Sequence, residues 1–142
     1  MCGLYCESAY EVLNDSARQA YARGTGVKTK TLFAGTRQNP RQRASIMDIS
    51  VENFKIGDIA LSFLEGIADE ICTALFNIEQ ITGEKQNRIF VSGNGIQKNE
   101  LLMRIFEDKL NANLILSDYK EEAAVGAAKF SRGERYGAVI KF

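Results

Sequence analysis

The chain has 142 residues, 45% of them hydrophobic, and a formal net charge of zero. That length suits one compact domain, and the balanced charge argues against nucleic acid as the main partner. No apolar run reaches the roughly eighteen residues that a membrane-spanning helix needs, so no membrane partner is expected. The opening MCGLYCESAYE lacks a basic region followed by an apolar core. No signal peptide is read there, and a cytoplasmic chain is expected. Cys2, Cys6 and Cys72 are odd in number and irregularly spaced, which fits reduced thiols rather than a disulfide framework. Cys2 and Cys6 alone fall short of a zinc ligand set in a chain without histidine, so no metal residues are assigned. The missing histidine also removes the usual general base near neutral pH.

Residues 7–22 predict a first helix, with Ala9, Val12, Leu13, Ala17, Ala20 and Tyr21 as its apolar stripe and Gly24 and Gly26 behind it. Residues 27–50 read as irregular, around Gly35, the lone Pro40 and the closely spaced Arg37, Arg41 and Arg43. Residues 54–81 carry the longest helical pattern. Its apolar face is wide, which predicts a helix well buried on the sheet. Gly66 inside it costs about 1 kcal/mol against alanine, which suggests close approach by a neighbour. Glu65 on that helix reads as solvated or structural rather than ligand-bound.

Residues 89–92 form a short β-rich run that ends in Gly93-Asn94-Gly95. A second amphipathic helix follows over 99–110, on Leu101, Leu102, Ile105, Phe106 and Leu110. Residues 113–116 predict a strand. Asp118 with Glu121 has the spacing of a helix cap and its third-position acid, opening a small-residue helix over 121–130. That helix, built on Ala123, Ala124, Gly126, Ala127 and Ala128, is expected to pack tightly. The tail 133–142 carries Tyr136, Val139, Ile140 and Phe142 and packs on the body or frays. Strand, glycine turn, helix, strand, helix is the order of parallel strands with helices laid on them.

A ligand in such a unit sits at the carboxyl end of the first strand. Gly93 and Gly95 carry no Cβ, so they permit positive φ and let a flat ligand approach the main chain. Free N–H groups at the next helix start favour an anion. Lys98 and Asn99 stand where side chains reach such a ligand. Short glycine patterns are weak signals, and a plain strand-to-helix turn explains the same residues.

VSGNGIQKNELL, followed some thirty residues on by EEAAVGAAKF, resembles the adenosine-binding segment of the FGGY carbohydrate kinases. In that family a Gly-Gly turn with a downstream Asn or Ser precedes a helix, and an E-x-A-A-x-G-A-A helix closes the unit. Upstream, LFAGTRQNPRQRASIMDIS resembles the family's G-[ET]-R-x-x-P…R-[GA]-S-I segment, and Arg37 matches its loop arginine. IALSFLEGIADEI resembles its L-E-G-I-A-F helix, and CESAYEVLN resembles the start of the helix before these. Lys98-Asn99 at the end of the turn is similar to the sedoheptulokinase-like branch. One departure stands inside the turn, where Asn94 replaces the second glycine; asparagine tolerates left-handed backbone better than most residues.

The resemblance implies an α/β fragment of an actin-like ATPase, a ribonuclease H-like domain with a small, mostly parallel sheet and packed helices. Residues 1–142 would be one partial, nucleotide-side C-terminal domain. It implies ATP as cofactor, held at Gly93, Asn94, Gly95, Lys98 and Asn99, with the Mg²⁺ ligands outside this chain. In the resembling kinases the first helix starts near the terminal phosphates. Glu7 and Glu11 carry the wrong sign to face them and read as a solvated face. The loop arginines either clamp a sugar phosphate or brace the loop, and bracing fits the accompanying glycine and proline better. No D-x-G-T segment occurs, so no catalytic residue is assigned. The sugar, a ketose such as sedoheptulose or xylulose, would be bound through an N-terminal domain outside this chain.

Two other readings stand beside this one. Gly93-x-Gly95 after a strand, with Asp118 about twenty-five residues on, approximates a dinucleotide-binding fingerprint, although Lys98 occupies the third glycine's place. A non-enzymatic remnant, using an exposed sheet edge or surface to associate with itself or another chain, is the third.

Overall fold

The computed structural model describes residues 3–86, 88–117 and 121–132. Cys2, Asp118 and the tail 133–142 lie outside the described residues, as do the side chains of Cys6 and Glu7. Helix α1 (Gly3–Arg23) stops where Gly24 takes φ +81° and returns its N–H to the Tyr21 carbonyl. Only the C-terminal half of its apolar stripe is used. Ala17 and Ala20 are fully buried, whereas Tyr10, Val12 and Leu13 are exposed.

The stretch expected to be irregular contains a hairpin. Strands β1 (Lys28–Lys30) and β2 (Ser45–Met47) pair antiparallel, with Thr29 opposite Ile46. Thr29 is buried between two exposed lysines. The alternation is real, but three residues are too few to register as a period. Between the strands, Gly35 at φ +74° lies against the Pro40 carbonyl, 2.7 Å from where a Cβ would stand. The Arg43 guanidinium donates to the Pro40 and Gln42 carbonyls at 2.9 and 2.8 Å. Bracing of this loop is therefore done by Gly35 and Arg43, while Arg37 is exposed.

Helix α2 (Ile56–Thr82) is the backbone of the fold and ends on Gly83 at φ +71°. The close approach that Gly66 suggested is present: a Cβ there would stand 2.3 Å from the Thr29 carbonyl oxygen. Gly57 makes the same kind of approach to the Ser16 carbonyl of α1, at 2.4 Å. Small residues at these points let backbone meet backbone, and the larger side chains close the gaps. Leu61 and Ala68 are fully buried beside Ala17 and Ala20. Ser62 Oγ bonds Thr29 Oγ1 at 2.7 Å and donates to the Ile59 carbonyl, so the buried hydroxyls are satisfied.

At the α1–α2 corner both carboxylate oxygens of Asp58 accept from Arg23 Nη2 at 2.9 Å. Asp58 is 1% exposed and sits in the first turn of α2, where negative charge suits the helix dipole.

The expectation that α2 is well buried on the sheet fails. Ile56, Ile71, Phe76, Ile78 and Ile81 are exposed. The helix spends its buried face on α1, β1 and α4 (Glu100–Leu110), and the sheet is too narrow to cover the remainder.

Strands β3 (Ile89–Val91) and β4 (Leu114–Leu116) pair in parallel, with Phe90 opposite Ile115, and Ser117 N–H extends the ladder to the Val91 carbonyl. Between them run a single-turn helix α3 (Asn94–Gln97), which the sequence did not predict, and then α4. Leu101, Leu102, Ile105 and Phe106 of α4 are buried, as their spacing predicts. Lys109 Nζ meets Asp69 of α2 at 2.6 Å, and the Tyr21 hydroxyl donates to Asp108.

Helix α5 (Glu122–Ser131) forms where expected but does not pack tightly. Ala123, Ala124, Ala127 and Ala128 are exposed, and nothing lies within 4 Å of a Cβ built on Gly126. Its small side chains offer little apolar area of their own, so burial depends on a large partner surface. Its N-cap, Glu121, makes no side-chain capping bond.

Candidate functional site

The glycine turn stands at the carboxyl end of β3, where a parallel unit presents its ligand surface. Gly93 carries φ +102°, ψ 146°, a backbone that only glycine adopts without strain. Its carbonyl accepts from Gln97 N–H at 3.1 Å and starts α3. Asn94 and Gly95 follow within that helix and are exposed. Asn94 does not have positive φ, so the change from the family's second glycine needs no left-handed tolerance. A Cβ at Gly93 or Gly95 would meet no atom within 4 Å. The turn is thus a bare shelf, open above both glycines.

The shelf forms one end of an apolar cleft of about 530 Å³, with Val91, Ile96 and Leu102 on one side and Ile67 and Ile71 of α2 on the other. Lys98 closes α3 and is exposed.

Asn99 is placed differently from the sequence reading. It is 6% exposed and caps α4, its Oδ1 accepting from Leu102 N–H at 3.0 Å. Its Nδ2 faces Asn14 Oδ1 at 3.3 Å and the Tyr10 hydroxyl at 3.5 Å. The carboxamide is committed to the protein, joining α1 to the turn. An Asn directly before an amphipathic run is a cap signature, and that signal was available in Asn99-Glu100-Leu101-Leu102. The expected anion site at the helix start is also altered. One first-turn N–H of α4 is taken by Asn99, and Glu100 adds a negative charge beside it. Of the residues assigned from sequence, Gly93 and Gly95 line the cleft, Asn94 and Lys98 are exposed in and just after α3, and Asn99 is buried at the start of α4.

A second groove, of about 410 Å³, lies along the hairpin and α2, lined by Lys28, Lys30, Glu65 and Asp69 together with Leu32 and Met47 among others. Glu65 is half-buried there. Burial raises its carboxyl above the usual range, Lys109 pulls it back, and Asp69 adds to the rise.

Residues 12–131 match the C-terminal domain of the FGGY family of carbohydrate kinases. The chain belongs to the FGGY family of carbohydrate kinases. Ribulokinase 2 of Staphylococcus saprophyticus subsp. saprophyticus is 28% identical, over 85% of this chain and 22% of that protein. Among solved structures, Plasmodium falciparum glycerol kinase with ADP is similar with a TM-score of 0.70 and 27% identity, over 83% of this chain and 24% of that one. Xylulose kinase from Bifidobacterium adolescentis shares the fold with a TM-score of 0.66 at 23% identity, over 84% and 24%. This FGGY chain therefore spans about a quarter of the length of the relatives it matches.

The α/β architecture with a small parallel sheet is that of the family's actin-like ATPase fold. Family membership displaces the dinucleotide-binding alternative. The geometry agrees, because α3 ends after a single turn and the long helix starts only at Glu100. No helix among the described residues is long and apolar enough to cross a membrane.

Proposed function

We propose that this chain is the adenosine-holding part of an ATP-dependent carbohydrate kinase. The observation that carries the proposal is the uncrowded main chain at Gly93 and Gly95, at the end of a parallel strand, with Gly93 held at φ +102°. A flat, weakly hydrated base lies against such a shelf by dispersion and main-chain contact. Lys98, exposed where α3 ends, supplies a positive charge for a phosphate, and Asn99 acts by fixing where α4 and the turn stand. Bound nucleotide supplies the phosphoryl group. Phosphoryl transfer also requires carboxylate-held Mg²⁺ and a base for the sugar hydroxyl, and this reading places those groups outside the chain. The isolated chain then binds nucleotide without turning over sugar. A ketose of the sedoheptulose or xylulose kind is the proposed acceptor, on the likeness of Lys98-Asn99 to that branch. The reading also makes the chain a cytoplasmic protein, one nucleotide-side domain.

Calorimetric titration of the chain with ADP and, separately, with NAD tests this. The expected result is ADP binding with a Kd of about 1 mM or tighter, and none for NAD. Gly95→Leu is the informative variant: position 95 has open space and no positive φ, so leucine fills the shelf without straining the fold. Binding of ADP should weaken at least tenfold with the melting temperature unchanged. ADP binding untouched by Gly95→Leu refutes the shelf, and a coupled assay finding ketose phosphorylation by the chain alone refutes its dependence on outside groups.

A further inference from the structure

Tyr10, Asn14 and Arg18 stand four residues apart on α1 and so share one face of the helix. That face meets the start of α4 through polar groups. Asn99 Nδ2 donates to Asn14 Oδ1 at 3.3 Å and to the Tyr10 hydroxyl at 3.5 Å, and Arg18 reaches Glu100 at 3.7 Å. Both members of the last pair are well exposed, so it holds little. The bonds of Asn99 are different, because Asn99 is buried and stands at the joint of two helices. Its N–H donates to the Ile96 carbonyl of α3 at 3.3 Å. Its carbonyl accepts from Met103 N–H at 3.1 Å and its Oδ1 from Leu102 N–H at 3.0 Å, both in α4. A carboxamide has an accepting end and a donating end. Turned end for end, Asn99 would set its NH₂ against Leu102 N–H and its oxygen against Asn14 Oδ1. The capping orientation therefore needs an acceptor on the α1 side, and Asn14 is the nearer of the two that stand there.

We propose that Asn14 is a positioning residue for the glycine shelf: by accepting from Asn99 it holds that carboxamide in its capping orientation and so fixes α4 and α3 against each other. Asn14 touches no ligand and acts through Asn99 alone. Leu102 N–H is among the first four of α4 and has no partner inside the helix, so its protection depends on the cap. Without the acceptor at position 14 the carboxamide is free to turn, the first turn of α4 frays, and the joint to Ile96 loosens with it. Gly93 and Gly95 then present a less fixed surface, which a flat ligand meets at a greater ordering cost. The effect on nucleotide rests on the adenosine reading given above; the hold on the turn does not.

The test compares Asn14→Leu, which removes the acceptor, with Asn14→Asp, which offers only acceptors, in the full chain. Position 14 is half-buried, and leucine is a good helix former, so both variants suit α1. Amide hydrogen exchange is read by NMR without nucleotide. In Asn14→Leu the Leu102 amide should exchange faster by about threefold or more, while Phe106, further along the same helix, keeps its rate. In Asn14→Asp both should match the unaltered chain. ADP titration should follow the same order, weakened by about threefold or more for leucine and unchanged for aspartate. The inference is overturned if leucine and aspartate behave alike at Leu102. It is equally overturned if Leu102 and Phe106 speed up together, which would mark a general loss of stability, or if Asn14→Leu binds ADP as tightly as a parent that binds it. A parent that takes up no ADP counts against the adenosine reading, and the exchange comparison then decides the hold of Asn14 by itself.

Discussion

Gly66→Ala is the sharpest test of how this domain is held together. The added Cβ would stand 2.3 Å from the Thr29 carbonyl oxygen and 3.1 Å from Thr31 Cγ2. A carbon–oxygen contact normally needs about 1 Å more, and the obstacle is backbone, so β1 must move away from α2. That movement loosens the 2.7 Å hydroxyl pair between Thr29 and Ser62, both buried. Overpacking of this kind costs about 1–3 kcal/mol, and the unmet hydroxyls add about 1–3 kcal/mol. Alanine in place of glycine within a helix returns about 1 kcal/mol. The net loss is roughly 1–5 kcal/mol, and about 4 °C of melting temperature per kcal/mol for a domain of this size gives a fall of roughly 4–20 °C. Thermal unfolding followed by circular dichroism measures it, with Gly95→Ala as the unobstructed control, expected to melt at or above the unaltered chain. A Gly66→Ala chain as stable as its parent would refute the idea that backbone contact, not chance, keeps glycine there.

Other substitutions separate surface from interior. Arg23→Ala strands the buried Asp58 carboxylate and should cost about 1–3 kcal/mol, less than a fully buried pair because Arg23 itself is half in water. Arg18→Ala, which removes exposed pairs to Asp15 and Glu100, should cost under about 1 kcal/mol in the same chemical denaturation series. Asn99→Ala should lose about 0.5–2 kcal/mol of capping, while Asn99→Ser, which keeps an acceptor for Leu102 N–H, recovers most of it in thermal melts. Glu65 has its folded pKa raised above the ordinary 4.5, chiefly by burial. Its contribution is therefore fullest below that value and is lost as pH rises through the raised one. Glu65→Gln should stabilise the chain at neutral pH, and the gain should shrink as the medium is acidified through the carboxylate range. A gain independent of pH would contradict the assignment to charge burial.

The part of the fold that was legible came from long-range pattern. Leu101, Leu102, Ile105 and Phe106 define one face of α4, and the glycine turn between two β-rich runs implies parallel pairing. The hairpin was not legible, because alternation across Lys28-Thr29-Lys30 is shorter than any window that detects it. The width of the apolar face of α2 was read correctly, but width does not name a partner, and the sheet expected beneath it is two strands wide. Asn99 was hard to read for a different reason: an asparagine beside a glycine turn offers both a ligand contact and a helix cap, and the cap is seen only in the fold. The alanines of α5 were expected to be buried because small residues permit close packing, yet permission supplies no driving force.

Gly57 and Gly66 stand nine positions apart on α2, each touching a neighbouring carbonyl. Nine residues of α-helix make about two and a half turns and about 13.5 Å of rise, so the two notches open on opposite sides. The helix is gripped like a shaft between two jaws, α1 on one side and the hairpin on the other. It can neither roll nor slide without driving backbone into backbone. Any motion of this domain therefore carries α1, the hairpin and the front half of α2 as one piece.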